Sequence, residues 1–367
     1  RTPWRETFGV PGFRWKFQRA SDRIKDGLGR RISPQRLQFS TETARTFIQN
    51  QASSFPTSPS TFQSETDIQR DSDEAYASYG VRPIWFGYPR RLSMPEFRPR
   101  PFLVARVVPG QPYEFAQEED YLAEYRNAHF GITHKKAGWD CMRHLEILAT
   151  GSLPLMPDSA NIPRFTMLGY PKQTISHLYG EFAAGPFTPS TAMHEAVFNH
   201  FQRNLTATSV MTYVLANESG GESVTLFVDE SLPTTPEYLS ITAYVGLHRL
   251  LSGSLVVFRR AWYLHEFSQS TQSLYGRGFS YAGALHPSEE AQYGTNAESL
   301  GEIIRRFQPS RIILGNLYRN LPALKEILRL GFSGNIILLR GDDAPPSLRE
   351  FQVLRRLPAS VYCREWT

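Results

Sequence analysis

Short apolar runs alternate along the chain with longer segments in which apolar residues recur every three or four positions. The short runs predict strands, and the longer segments predict helices with one apolar face. In the first half of the body the predicted elements are strand Phe102–Val108, helix Gln117–Ala128, strand His129–Thr133, helix Asp140–Thr150, strand Ser152–Met156 and a helical stretch over Thr191–Asn217. Asp140 occupies the N-cap position of its helix, and Gly151 favours the end of that helix.

The same alternation continues after residue 222. The predicted elements there are strand Val224–Val228, helix Pro236–Leu251, strand Leu255–Phe258, helix Asn296–Phe307, strand Arg311–Leu314, helix Pro322–Leu330 and strand Asn335–Arg340. Strands that alternate with helices build parallel, doubly wound sheets. We therefore predict an α/β protein with two Rossmann-like doubly wound parallel-sheet domains, at residues 81–217 and 222–367.

The first 80 residues differ in composition from this body. Residues 1–50 interleave aromatic and basic side chains, and residues 1–45 hold eleven Lys and Arg against four Asp and Glu. Since the net charge of the whole chain is only +5, the basic character belongs to this N-terminal arm. Residues 51–80 are rich in Ser, Thr and Pro and predict a linker.

The chain has two cysteines, Cys141 and Cys363, too few for a disulfide framework or a four-cysteine zinc site. This cysteine usage predicts a reducing compartment, the cytoplasm. No apolar run approaches the roughly 18 residues that span a bilayer. A membrane association would therefore be peripheral, through the arm at residues 1–45.

Three short motifs carry little weight on their own. Asp71-Ser72-Asp73 has the DxD form that holds a metal and a nucleotide sugar in one class of transferases, but no predicted strand precedes it. His194 and His200 are six positions apart, whereas a helical zinc pair needs a spacing of about four. Gly276-Arg277-Gly278 lacks the third glycine of a dinucleotide loop, and a flexible ligand-facing loop is the alternative.

The most informative stretch runs from residue 133 to residue 154. It predicts a strand, a basic glycine-containing loop, a helix, a tight turn and a second strand. The loop presents Lys135 and Lys136 beside a helix N-terminus, whose free N–H groups and positive dipole end favour phosphate. Arg143 and Glu146 lie on one helix face. There a guanidinium can bind a diphosphate, and a carboxylate can accept hydrogen bonds from ribose hydroxyls. A surface ion pair and a solvated loop are the alternatives.

This stretch resembles the nucleotide-sugar-binding domain of GT-B glycosyltransferases, in particular the exostosin-like ones. Their pattern of an Arg, a Glu and a small-residue turn is matched in order by Arg143, Glu146, Ala149, Gly151 and Pro154. The chain is also similar, over about residues 100–343, to a poorly characterised bacterial and viral group of exostosin-like proteins that share its KKAGWDCMRH core. The later matches are Pro163 with Thr166-Met167, Leu274-Tyr275-Gly276-Arg277-Gly278-Phe279 and Gly341-Asp342-Asp343.

The resemblance implies a GT-B-like fold in which the donor-type domain, residues 81–217, comes first. It implies a glycosyltransferase that moves a sugar from a nucleotide-sugar donor to a glycan or glycolipid acceptor. Lys135, Lys136, Arg143 and Glu146 are then the donor-binding residues. Because the loop and the helix supply positive charge to the leaving diphosphate, we expect no metal and no cofactor beyond the nucleotide sugar.

Carboxylates end two predicted strands of the second half. Asp229 and Glu230 follow one strand, and Asp342 and Asp343 follow another. Ligands of open α/β sheets bind outside the carboxyl ends of strands. An inverting transfer needs a base that deprotonates the acceptor hydroxyl, so each of the four is a candidate catalytic residue.

Other functions and other bases remain open. A transferase scaffold without activity would be a structural or interaction protein, since fold does not imply function. The basic arm would bind single-stranded nucleic acid by stacking and charge, or an anionic membrane surface, or would wrap its own body. Within the transferase hypothesis, His248 and His265 are alternative bases, although a lone His is more often a packing residue.

Overall fold

The structure is a computed structural model, and it describes residues 62–92, 95, 97, 100–107, 109, 115–185, 187–218, 224–265, 271–287, 289, 291–295 and 297–367. The basic arm expected at residues 1–50 lies outside the described residues, as do residues 51–61 of the expected linker. The roles of the arm therefore stay predictions.

The described residues form ten α-helices and ten strands, numbered here in chain order. The helices are α1 Glu65–Tyr79, α2 Glu118–Arg126, α3 Met142–Ala149, α4 Lys172–Ala184, α5 Thr191–Asn204, α6 Ala207–Ala216, α7 Tyr238–Leu251, α8 Leu300–Phe307, α9 Leu321–Arg329 and α10 Leu348–Leu354. The strands are β1 Arg82–Pro83, β2 Phe102–Val104, β3 Ala128–Ile132, β4 Leu153–Leu155, β5 Thr225–Val228, β6 Leu255–Val257, β7 Gln292–Tyr293, β8 Arg311–Asn316, β9 Asn335–Arg340 and β10 Ser360–Cys363.

Among the described residues the strands form two sheets, and every strand pair is parallel. The large sheet has the order β1-β10-β9-β8-β5-β6-β7, and the small sheet has the order β2-β3-β4. Taken in chain order, β5 to β10 follow the order 3-2-1-4-5-6, which is that of doubly wound dinucleotide-binding folds. The predicted α/β class with parallel sheets is confirmed, and the large sheet is compatible with a Rossmann-like fold.

The strands at the centre of the large sheet are apolar between their polar first and last residues. β8 and β9 run through Ile and Leu in succession, and Ile312 lies opposite Ile336 in their register. Strands covered on both faces need such continuous apolar runs, because neither face meets water. Each Ile or Leu side chain buried there contributes roughly 1.5–3 kcal/mol to the core.

An edge strand from early in the chain completes the large sheet. β1 pairs with β10, with Arg82 opposite Tyr362, and the Ile84 N–H donates to the Cys363 carbonyl at 3.0 Å. The segment that precedes the small sheet is therefore tied to the C-terminal strand.

Among the described residues, no helix is both long enough and apolar enough to cross a membrane.

Several helix boundaries differ from the prediction, for local reasons. The single helical stretch expected over Thr191–Asn217 is two helices, because the Thr206 side chain caps the Ser209 N–H and starts α6. Pro236 was expected in the first turn of its helix, but Glu237 is the N-cap and accepts from the first free N–H groups of α7. Such caps stabilise a helix by about 1 kcal/mol.

Helix α1 lies in the segment whose composition indicated a linker, so that prediction is wrong for residues 65–79. Ser64 and Asp67 form a capping box at its start. Its buried face is partly polar: Asp71 accepts from Arg164 at 2.8 Å, and Ser72 shares a 2.6 Å hydrogen bond with Tyr213. These polar partners replace the apolar stripe by which such a helix is usually predicted.

The β3–α3–β4 unit has the predicted order and places the basic loop at the end of β3. Gly131 lets α3 approach closely, since a methyl group there would lie 2.8 Å from Ile147. Gly151 follows the helix at φ +72°, a left-handed conformation that suits glycine. The prediction of Asp140 as N-cap is wrong: Cys141 holds that position, and the Asp140 carboxylate accepts instead from the Phe86 N–H at 2.6 Å.

Candidate functional site

The loop between β3 and α3 presents its two lysines to solvent. Lys135 and Lys136 are exposed, and the Lys135 ammonium lies 4.8 Å from the centre of the Trp139 ring. The Lys135 N–H donates to Asp158 at 3.0 Å, and the Lys136 N–H donates to the Gly138 carbonyl at 3.1 Å. These backbone bonds fix the loop while both ammonium groups stay accessible to an anion.

Arg143, in the first turn of α3, is buried and only 6% exposed. Its Nε and Nη1 atoms are shielded from water and have no hydrogen-bond partner among the described residues. A buried guanidinium without acceptors is costly. The charge of Glu146 acts on this guanidinium, and an anion bound at this position would further offset the cost.

Glu146, one turn further along α3, is also buried but is fully engaged. One carboxylate oxygen accepts from the Tyr121 hydroxyl at 2.6 Å, and the other accepts from the Ser280 hydroxyl at 2.7 Å. The contact with Ser280 ties α3 to a segment of the second half of the chain. Both oxygens that were expected to accept ribose hydroxyls therefore have partners inside the protein.

A second buried arginine, Arg364, joins the basic loop to the end of the large sheet. It is 1% exposed. Its guanidinium donates to the Gly341 carbonyl at 3.1 Å, the Asp140 carbonyl at 2.8 Å, Glu365 at 3.0 Å and Asp343 at 2.5 Å. The same group lies 4.5 Å from the centre of the Phe86 ring.

Three carboxyl groups, those of Asp140, Glu365 and Asp343, interact with the charge of Arg364. Asp140 is buried, and burial raises its pKa to about 7, although the charge of Arg364 opposes that shift. Burial likewise raises the pKa of Glu365, whose carboxylate also accepts from the Asp140 N–H at 3.0 Å. This cluster holds the start of α3 against the C-terminal segment that follows β10.

Sequence reasoning missed Arg364 and Glu365 as functional-site residues. They follow a strand that was not predicted, and they match no motif. The available signal was the short run Val361–Cys363, which continues directly into the charged pair.

The structure separates the two candidate carboxylates that follow β9. Asp343 faces the basic loop: a methyl group added at Gly138 would lie 3.1 Å from Asp343 Oδ1 and 2.5 Å from Glu365 Oε1. Asp342 faces Arg340, at 3.7 Å, and burial raises its pKa while that arginine lowers it. Of this pair, Asp343 is the carboxylate beside the loop.

Charged groups from the loop side and from the sheet side both affect the pKa of Tyr275. Partial burial raises the pKa of its hydroxyl, Cys141 and Asp343 raise that pKa further, and the charge of Arg143 lowers it. The hydroxyl therefore lies within electrostatic reach of both Arg143 and Asp343. Lys136 and Arg143 act in the same way on the Cys141 thiol, both lowering its pKa against the raising effect of burial.

The carboxylates that follow β5 lie at a different part of the sheet edge. Asp229 is buried, and its Oδ1 accepts from the Ser231 N–H and hydroxyl and from the Leu232 N–H at 3.0–3.1 Å. Glu230 is exposed and lines a pocket of about 650 Å³ at the ends of β5 and β6. The other lining residues of that pocket are Pro233, Thr234, Arg259, Arg260 and Trp262.

The alternative bases His248 and His265 are core residues. His248 contacts the Tyr244 carbonyl at 2.7 Å and the Tyr293 hydroxyl at 3.1 Å, and His265 contacts the Tyr244 hydroxyl at 3.0 Å. Burial lowers the pKa of His248 to about 4 and that of His265 to about 3. Their location matches that of packing residues.

The structure also shows why His194 and His200 do not form a zinc pair. His194 contacts the Gly151 carbonyl and His129, whereas His200 contacts the Gly169 carbonyl, so the two rings serve different neighbours. Within the part of the chain that the structure describes, no cluster of three or more His, Cys, Asp or Glu has a geometry for a metal ion.

Comparisons with known proteins give no relative: no protein-family model, no curated protein and no solved structure matches this chain. The exostosin-like family indicated by residues 133–154 therefore stays a prediction. What the chain does must be argued from its own geometry.

Proposed function

We propose that this protein is a glycosyltransferase that moves a sugar from a nucleotide-sugar donor to a glycan or glycolipid acceptor. The observation that carries the proposal is Arg143, a buried guanidinium with two nitrogens that lack a partner in the described chain. Lys135 and Lys136 add two exposed positive charges on the adjoining loop. A diphosphate has the negative charge and the acceptor oxygens that match these nitrogen hydrogen-bond donors.

The three cations would stabilise the leaving group. When the bond between the sugar and the diphosphate breaks, negative charge develops on the phosphate oxygen that departs. Arg143, Lys135 and Lys136 offset that charge with fixed donors in a site where the guanidinium is already desolvated. Because the chain supplies this positive charge itself, we propose that transfer is metal-independent.

We assign the base to Asp343, because this carboxylate faces the loop. In the proposed step the acceptor hydroxyl gives its proton to Asp343 while its oxygen attacks the anomeric carbon. The bond from that carbon to the diphosphate oxygen breaks, and the nucleoside diphosphate leaves with the electron pair. Arg364 orients the carboxylate through a 2.5 Å hydrogen bond, as a base is held by a third group in many active sites.

The proposed arrangement is GT-B-like, with the donor-type domain at residues 81–217 and the acceptor-type domain at residues 222–367. Arg143 would bind the donor from the first half, and Asp343 would act from the second. The electrostatic reach of both groups to Tyr275 supports a site shared by the two halves. Glu146 then acts as a positioning residue, since its hydrogen bonds to Tyr121 and Ser280 hold both halves at the site.

One observation favours the second candidate, a noncatalytic protein on a transferase scaffold. Glu146 and Asp343 both have partners inside the chain, as residues with purely structural roles do. This candidate predicts binding of an anion at Arg143 without turnover.

The test is sugar transfer from a panel of nucleotide sugars to glycan and glycolipid acceptors, with excess EDTA present. Asp343→Asn should lower kcat by about 10²–10⁴-fold, the usual effect of removing a positioned base. Asp342→Asn is the matched control and should change kcat by less than about threefold, because its side chain faces Arg340. Full activity of Asp343→Asn would remove it as the base, and activity lost in EDTA but restored by Mn²⁺ would contradict the metal-independent reaction.

A further inference from the structure

The turn at Tyr275–Gly278 presents an aromatic ring at the proposed site. The Tyr275 side chain is 66% exposed, far more than the aromatic residues around it. Its ring centre lies 5.8 Å from that of Tyr238, which packs in turn against Phe86 at 5.6 Å. An exposed ring at the edge of such an aromatic cluster leaves most of its surface open to another molecule.

The backbone that carries this ring is strained and firmly held. Arg277 and Ser280, which are not glycines, adopt φ +59° and +72°, in the left-handed region that costs free energy for residues with a Cβ. The Arg277 guanidinium donates to the Phe115 carbonyl at 2.6 Å, and the Ser280 N–H donates to Glu118 at 2.7 Å. The Tyr281 hydroxyl donates to the Tyr275 carbonyl at 2.6 Å. Contacts from both halves of the chain therefore keep the turn in a conformation that its own residues disfavour.

The position of the turn indicates which part of a donor would meet the ring. Contacts connect the turn to the surroundings of both Arg143 and Asp343. The Ser280 hydroxyl donates to Glu146, one turn of α3 from Arg143, and the Tyr238 ring beside Tyr275 packs against Phe86, which lies 4.5 Å from the Arg364 guanidinium that binds Asp343. If Arg143 binds the diphosphate and Asp343 binds the acceptor hydroxyl, the sugar to be transferred must lie between them. Tyr275, at the exposed edge of the aromatic cluster, would then offer the sugar an apolar ring and one hydroxyl.

We propose that Tyr275 binds the transferred sugar, packing its ring against the sugar and hydrogen-bonding one sugar hydroxyl. This inference rests on the proposed function and makes Tyr275 a residue that determines donor specificity. A ring with one polar group supplies contact area at little conformational cost and discriminates between sugars that differ at one hydroxyl. Strained backbone of the kind seen at Arg277 and Ser280 is typical of ligand-binding sites.

The experiment is calorimetric titration of the full chain with UDP, GDP, UDP-glucose, UDP-galactose and GDP-mannose. Tyr275→Ala should weaken binding of the nucleotide sugar by about tenfold and leave binding of the matching nucleoside diphosphate within about twofold. Tyr275→Phe should keep most of the affinity for the preferred nucleotide sugar. It should reduce the ratio of dissociation constants between UDP-glucose and UDP-galactose, or between whichever two sugars the wild type distinguishes. Tyr76→Ala, at another exposed tyrosine, is the control and should change neither.

Two contrary results have different meanings. An equal loss of diphosphate and nucleotide-sugar binding in Tyr275→Ala, or no loss in either, overturns the role of Tyr275 and leaves the transferase proposal standing. Failure of the wild type to bind any of the five ligands overturns the transferase proposal, and this inference with it.

Discussion

The segment after β10 and the first turn of α3 each bury an arginine, and the two are treated in opposite ways. Arg364 is 1% exposed and donates to four acceptors. Arg143 is 6% exposed, yet two of its nitrogens lack an acceptor in the described structure. A buried charged donor without a partner lowers the free energy of unfolding. A purely structural role therefore does not explain why such a group is kept. The comparison indicates that Arg364 holds the fold together, and it supports the proposal that Arg143 binds an anion.

The largest effect should come from removing Arg364. Arg364→Met leaves the buried Asp140 and Glu365 without their cation, and breaking such a pair costs about 3–5 kcal/mol of unfolding free energy. Urea denaturation measures the loss. The control is Arg164→Met, whose guanidinium is half-exposed in its ion pairs with Asp71 and Glu74 and should cost less than about 1 kcal/mol. Equal losses in the two variants would show that Arg364 is not a structural residue.

Removing Arg143 should affect binding instead of folding. Arg143→Met should weaken binding of the preferred nucleoside diphosphate by about 1.5–3 kcal/mol, the worth of a hydrogen bond to a charged group. The free energy of unfolding should stay within about 1 kcal/mol of the wild type, because no intramolecular partner of Nε or Nη1 in the described chain is lost. Calorimetry and urea denaturation on one sample give both values. A stability loss as large as that of Arg364→Met would show that Arg143 stabilises the fold in the same way as Arg364.

The burial of Asp140, which the charge of Arg364 offsets only in part, predicts a pH dependence of stability. The pKa of Asp140 is raised by burial from 3.8 to about 7, so between these values the native state binds the proton that the unfolded chain releases. This contribution to stability is complete below about pH 4 and is lost as the pH rises through about 7. Asp140→Asn removes it, so the variant should gain stability over the wild type as the pH rises from 4 to 7, by up to about 1.4 kcal/mol per pH unit. A constant difference across this range would refute the assignment.

The smallest effect concerns Glu146, which the structure surrounds with donors. Glu146→Gln should cost about 1 kcal/mol of stability, because the hydroxyls of Tyr121 and Ser280 both lose a charged acceptor and one of them then faces the amide NH2 group. Tyr121→Phe removes one of the same donors and should cost a similar amount. Affinity for the nucleoside diphosphate should change by less than about threefold in both. A tenfold rise in the donor KM without loss of stability would instead show that Glu146 contacts the ribose.

Much of the fold followed from local pattern. The continuous Ile and Leu runs of β8 and β9 and the period of α3 predict those elements because burial of an apolar face decides them. Helix α1 was missed because its buried face is partly polar and depends on Tyr213 and Arg164, far away in the chain. The two-residue strands β1 and β7 are too short to show any period.

The candidate site was predicted in part. Local pattern sets the order of strand, basic loop and helix, so the sequence could predict that Lys135 and Lys136 lie on the loop and Arg143 in the first turn of α3. The contacts that decide roles are distant in sequence: Asp140 meets Arg364, and Glu146 meets Ser280. Asp140 was therefore expected to cap α3, although the Phe86 N–H captures its carboxylate. No spacing rule reports which of two buried arginines has its acceptors.

The most direct test of the central claim is a crystal structure of the full chain with the nucleoside diphosphate that binds it best. If Arg143 binds the donor, a phosphate oxygen should lie within about 3.2 Å of Arg143 Nε or Nη1, with Lys135 or Lys136 turned toward the diphosphate. The contacts of Arg364 should be the same as without the ligand. A diphosphate bound elsewhere, such as beside Arg260 in the pocket at the ends of β5 and β6, with Arg143 still unliganded, would contradict the account.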